Sequence, residues 1–129
     1  MRILLINQFP LTGGGSGVYT KNIAKSLKRL GHSIYIIIPE NTIKIEEIDG
    51  VTIKPVFFKY KENIKNQLPF NFACFTTHPR SNLTFNDLTN EQLRMYEDSF
   101  KEAIENAIKE FKPDVIHSRT YLDNIKHSK

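Results

Sequence analysis

The sequence holds a single cysteine, Cys74, in 129 residues. One thiol closes no intramolecular disulfide and cannot furnish a Cys-rich zinc site. Long apolar runs are missing as well. None approaches the ~20 residues that cross a bilayer, and the run after Arg2, Ile3-Leu4-Leu5-Ile6, falls short of the ~7 apolar residues of a signal-peptide core. No stretch repeats and none is of low complexity. No basic block alternates with stacking aromatics, which argues against nucleic acid as the partner. The chain therefore reads as reduced and cytoplasmic. Asn82-Leu83-Thr84 spells a glycosylation acceptor that such a chain would not use.

What is present is the composition of an ordinary globular protein, 40% hydrophobic and 25% charged. The length suits one domain or a large part of one, since two full domains would take roughly 200 residues. A domain of this size buries about two-thirds of its unfolded surface, enough for a core without disulfides or metal. The net charge of +4 is uneven: residues 1–65 hold ten Lys/Arg and five Asp/Glu, residues 66–129 hold eight and nine. Such an excess attracts phosphate-bearing ligands or an anionic membrane surface, or is simply a solvated lysine-rich face.

Hydrophobic periodicity orders the chain. Ile3-Leu4-Leu5-Ile6 fits a strand buried on both faces. A loop with Pro10 and Thr12-Gly13-Gly14-Gly15-Ser16-Gly17 follows. Tyr19, Ile23, Ala24, Leu27 and Leu30 then share one helical face, with Lys21, Lys25, Lys28 and Arg29 opposite and Gly31 as the stop. Ile34-Tyr35-Ile36-Ile37-Ile38 is a second buried strand. Strand, glycine loop, helix and strand make a βαβ unit, which predicts parallel pairing. Asp49-Gly50 signals a turn and residues 51–58 a third strand. Residues 59–88 show no clear period and read as a long loop or insertion. Thr89 with Gln92 forms a capping box for a second helix. Its stripe is Leu93, Tyr96, Phe100, Ala103, Ile104, Ala107, Ile108 and Phe111. Glu97/Lys101 and Glu105/Lys109 are spaced for i,i+4 ion pairs. Pro113 ends the helix, and Val115-Ile116 opens a fourth strand closing at His117. The expected fold is α/β: a Rossmann-like three-layer domain with a mainly parallel sheet.

Three segments could carry chemistry. The glycine loop lies where open α/β sheets bind ligands, beyond the carboxyl end of a strand and at a helix N-terminus. Free N–H groups and the helix dipole favour an anion there, the dipole by about 0.3–2 kcal/mol. Missing β-carbons allow close approach of a phosphate. A dinucleotide fingerprint fails in both registers, meeting Val18 or Thr20 where glycine is required, and a P-loop fails because Val18 follows Gly17. The second segment is the fourth-strand end, where His117 could carry a proton and Arg119 could clamp a phosphate or carboxylate. The third is Phe75-Thr76-Thr77-His78-Pro79-Arg80-Ser81. Its hydroxyls, imidazole and guanidinium follow three phenylalanines, a set suited to a sugar or merely to anchoring the loop. Cys74 has no evident base beside it and reads as a buried, inert thiol.

Met1-Arg2-Ile3-Leu4-Leu5-Ile6, Gly14-Gly15-Ser16-Gly17-Val18-Tyr19, residues 24–32 and Lys112-Pro113-Asp114-Val115-Ile116-His117 together resemble the N-terminal domain of the family-four, retaining, GT-B glycosyltransferases. The match covers roughly half of the chain, at its two ends. The resemblance implies a two-domain enzyme. The acceptor is held mainly by the N-terminal domain, and a nucleotide-sugar donor mainly by a C-terminal one. It implies Gly14 and Gly15 near the donor phosphates and His117, as the candidate catalytic residue, with Arg119 at the sugar end of the cleft. Members often carry a second histidine where Arg119 stands here. Thr77, His78 and Arg80 are expected on the acceptor side. The donor is a substrate, and neither a metal nor a resident cofactor is expected. The chain is expected to be an acceptor-side fragment, inactive alone, that lacks a C-terminal donor domain. The acceptor would be a sugar, a lipid or a small molecule. The basic first helix could touch the inner membrane surface, and an exposed sheet edge could pair with itself. The alternatives are a non-catalytic Rossmann-like protein binding a nucleotide or phosphometabolite, and an association module.

Overall fold

The computed structural model describes residues 1–42, 44–59, 67–71, 73–74 and 83–119; the side chains of Asn71, Ala73, Cys74, Leu83, Thr84, Phe85 and Arg119 lie outside the described part. Strands β1 (Arg2–Asn7), β2 (Ser33–Glu40), β3 (Thr52–Lys59), β4 (Leu68–Asn71) and β7 (Val115–Arg119) form one sheet in the order β4-β3-β2-β1-β7. Every pairing in it is parallel. Short strands β5 (Ala73–Cys74) and β6 (Leu83–Thr84) pair separately. Helices α1 (Gly15–Arg29) and α2 (Asn90–Phe111) complete the described elements, with a 3₁₀ turn at Phe85–Asp87.

Side-chain alternation splits the core in two. Ile3 and Leu5 of β1 join Ile34, Ile36 and Ile38 of β2 and Ala24 of α1 on one face. Leu4, Ile6, Tyr35, Ile37, Val56 and Phe58 join Tyr96, Phe100 and Ala107 of α2 on the other. A strand apolar at every position has two faces to cover, so one helix layer on each side is the stable solution. The result is the Rossmann-like, three-layer α/β arrangement expected from the sequence. On the α2 side the packing is aromatic: Tyr96 and Phe100 have ring centroids 4.8 Å apart, and Phe58 lies 5.7 Å from Tyr96 and 5.6 Å from Phe70.

The helix ends follow their residues. Thr89 Oγ1 accepts from Gln92 N at 3.1 Å, and Gln92 Oε1 accepts from Thr89 N at 3.0 Å, a complete capping box. Gly31, at φ +93°, closes α1 with bonds from Gly31 N to Lys28 O and from His32 N to Leu27 O. A residue with a β-carbon would be strained in that conformation. Lys112, also left-handed at φ 51°, ends α2 one residue before Pro113. The turn is tied to the start of β1: Asp114 N donates to Arg2 O (2.7 Å), Arg2 N to Asp114 Oδ2 (2.8 Å) and Arg2 Nε to Lys112 O (2.9 Å).

Four differences from the sequence reading have local causes. Helix α1 begins at Gly15, so half of the expected glycine loop is helical. The stretch 59–88 supplies a fifth sheet strand, β4, in which Leu68 and Phe70 are buried and Pro69 is exposed. Two apolar residues are too few to show a period, and a proline is tolerated on an edge strand. Strand β7 runs on to Arg119, two residues past His117. The ion pairs Glu97/Lys101 and Glu105/Lys109 do not form; among the described residues the only salt bridge joins Lys21 to Glu46. These exposed i,i+4 pairs are worth only about 0.3–0.5 kcal/mol, too little to hold long side chains in place.

Candidate functional site

α1 leaves β1 on one face of the sheet, and α2 enters β7 on the other. β1 and β7 are neighbours, with Leu5 beside His117, Ile6 beside Ser118 and Asn7 beside Arg119. The strand order reverses at this pair, and open α/β sheets place ligands in the crevice beyond the carboxyl ends of the strands at such a point.

The crevice is built from Asn7 upward. Its side chain is fully buried. Nδ2 donates to Thr20 Oγ1 (2.7 Å), Ser16 O and Ser16 Oγ (both 3.2 Å). Oδ1 accepts from Phe9 N (3.2 Å) and from Ser16 Oγ (3.4 Å). One amide thus fixes the end of β1, the start of the loop and the first two turns of α1. A buried amide is retained only when its polar atoms are satisfied, as these are. The sequence reading missed this role, because an asparagine after an apolar run marks a strand end and nothing more.

Glycines then shape the loop. Gly13 adopts φ +91° and Gly14 is the extended N-cap of α1. No side chain caps this end and no acidic residue stands in its first turn. A β-carbon on Gly17 would fall 1.8 Å from the Pro10 carbonyl oxygen, so Gly17 is the glycine that packing demands. One on Gly15 would meet nothing within 4 Å. Gly15 therefore presents its backbone to open space, and the N-terminus keeps its amide donors and positive dipole end unneutralised.

His117 is exposed, but it lies two residues short of the strand tip, roughly 7 Å below it at the usual rise. With Leu5, Ile6, Tyr19, Thr20 and Ile23 it lines a gap of about 10 Å³, room for a water and no more. Any ligand of the crevice therefore lies above this gap, against Tyr19 and the helix end. Arg119 occupies the last position of β7, beside Asn7. Thr77, His78 and Arg80 lie outside the described residues. At the tip of β2, Glu40 is 2% exposed and accepts a bond from Asn41 N at 3.1 Å.

The basic face of α1 has a partner within the chain. Lys21 pairs with Glu46 in the segment between β2 and β3. The hydrogen bond from Lys21, then the charge of Lys21, with Lys25 adding to it, hold the Glu46 carboxyl below the ordinary carboxylate range against the opposing effect of desolvation. The same segment inserts Ile48 into the α1-side core. No helix among the described residues is long and apolar enough to cross a membrane, and no three of their His, Cys, Asp or Glu side chains gather as metal ligands.

Fold and crevice together define a Rossmann-like α/β domain with an anion-ready helix end at its topological switch point. Comparison with protein-family models, with curated proteins and with solved structures finds no match.

Proposed function

We propose that the chain is the acceptor-side domain of a retaining, nucleotide-sugar-dependent glycosyltransferase. The observation that supports it most directly is the α1 N-terminus: glycine-opened, uncapped, free of acids and next to the β1–β7 crevice. In the proposed reaction the bond from the anomeric carbon to the diphosphate breaks. The acceptor hydroxyl oxygen bonds to that carbon on the same face, and its proton passes to a departing phosphate oxygen. The share of this domain is electrostatic, since amide donors fixed before the reaction stabilise the charge that builds on the diphosphate. Gly14 and Gly15 admit the phosphates, His117 and Arg119 flank the sugar, and Thr77, His78 and Arg80 meet the acceptor. The donor domain completes the site, and the enzyme works in the cytoplasm, at the membrane surface where its acceptor is a lipid.

Calorimetry of the chain with nucleoside diphosphates, nucleotide sugars and inorganic pyrophosphate tests this reading. Millimolar or tighter binding is expected, about −4 kcal/mol or better, lost in Gly15→Asp. A β-carbon there meets nothing within 4 Å, and the carboxylate favours the helix by about 0.3–1 kcal/mol and repels the anion. Binding that survives Gly15→Asp would remove the helix end from the site.

One observation favours a second reading, a non-catalytic nucleotide-binding domain: Glu40 stands at the tip of β2, where dinucleotide-binding domains hold a ribose through an acid. Tighter binding of a dinucleotide than of any nucleotide sugar would select it.

A further inference from the structure

A second groove lies on the opposite part of the fold. It holds about 420 Å³ between one flank of α2 and strand β3, within the ~300–1,000 Å³ of small-molecule pockets. Tyr35 and Lys54 are each the third residue of their strands, so the groove opens toward the amino ends of the sheet, away from the crevice. Its floor includes Tyr35, Val56 and Ala103.

The charges on its walls are opposed and do not meet. Lys54 stands on the strand side; Glu102, Asn106 and Glu110 stand on α2. Their i,i+4,i+8 spacing makes a row with steps of about 6 Å. No nitrogen of Lys54 lies within 4 Å of either carboxylate. Among the described residues the side chains of Lys54, Glu102, Asn106 and Ser99 make no ion pair or hydrogen bond, while the Glu110 carboxylate accepts only a long 3.5 Å bond from the Tyr35 hydroxyl. A simple cation in this groove would meet Lys54, and a simple anion would meet two carboxylates. One small molecule carrying both charges on an apolar body satisfies both walls and the floor.

We propose that this groove is a binding site for a small amino-acid-like zwitterion, its ammonium group toward Glu102 and Glu110 and its carboxylate toward Lys54. The site is separate from the crevice and does not rest on the glycosyltransferase reading.

Three matched probes test it by amide NMR of the whole chain: phenylalanine, phenethylamine and 3-phenylpropionate, which share one apolar body and differ in charge. Phenylalanine should saturate shifts at Lys54, Ala103 and Asn106 with a midpoint near about 1 mM, and each singly charged analogue should bind at least about tenfold more weakly. Lys54→Met should bring phenylalanine down to the affinity of phenethylamine; Glu102→Gln should weaken both. Both substituted residues are exposed, and the comparison on the unaltered chain stands even if a variant fails to fold. No saturating shift with phenylalanine up to about 10 mM, equal midpoints for the three probes, or indifference to Lys54→Met would each overturn the proposal.

Discussion

Helices α1 and α2 flank one sheet but start in opposite ways. α2 begins with a reciprocal Thr89–Gln92 cap and carries Glu91 in its first turn, so its first amide donors and its dipole are answered from within. α1 begins at bare glycine, uncapped and without an acid. Its position is secured one layer down, by the buried Asn7 amide and by the contact of Gly17 with Pro10. The difference separates two tasks that one helix end cannot serve together. A cap stabilises an N-terminus by occupying the donors that an anion would use. α2 is built for stability, and α1 is held from below so that its end stays open.

The sharpest way to break this comparison is at Gly17. Alanine is the better helix former by about 1 kcal/mol, so a freely exposed helix would be stabilised by Gly17→Ala. Here the new β-carbon meets backbone, which yields less easily than a side chain. The expected result is a net loss of about 3 kcal/mol, read as a lower urea midpoint with an unchanged slope. Unchanged or raised stability would mean that the loop at Pro10 is not seated on α1.

Asn7→Leu comes next. It keeps the branched shape and the number of heavy atoms and leaves Thr20 Oγ1, Ser16 Oγ and Phe9 N without their partner. A loss of about 2 kcal/mol is expected, together with loss of whatever anion affinity the unaltered chain shows. Thr89→Ala, on the other helix, should cost about 1 kcal/mol and leave anion binding intact. If both substitutions moved binding equally, the two helix ends would not differ in role.

These residues also show what the sequence could disclose. Strands β1 and β2 were legible because their runs are apolar at every position, and α2 because its stripe and cap agree. β4 was hidden by its length. Gly17 was visible as a glycine, but its reason is a tertiary contact with Pro10 that no local pattern carries. His117 was found as a strand-end residue, yet β7 continues past it, because pairing with β1 extends to Asn7. Strand ends are set by the neighbour as much as by the run itself.

The smallest expected effect concerns the acid limb of stability. Glu46 is held below the ordinary carboxylate range chiefly by its bond to Lys21. A carboxyl whose folded pKa is lowered binds its proton more readily in the unfolded chain, so its stabilisation is present at neutral pH. That stabilisation begins to fade as pH drops below the unfolded-chain value, near about 4.3 for a glutamate, and is gone below the lowered folded value. Glu46→Gln should therefore leave a slightly less stable protein at pH 7 and reduce the difference from the unaltered chain as pH drops through that window. The carboxylate is solvent-screened, so the difference is small and should shrink further in high salt. Thermal melts at pH 7 and near pH 3, at low and high salt, measure it. A gap that widens toward acid would show that Lys21 is not the group that sets the charge of Glu46, and would return the basic face of α1 to the solvent.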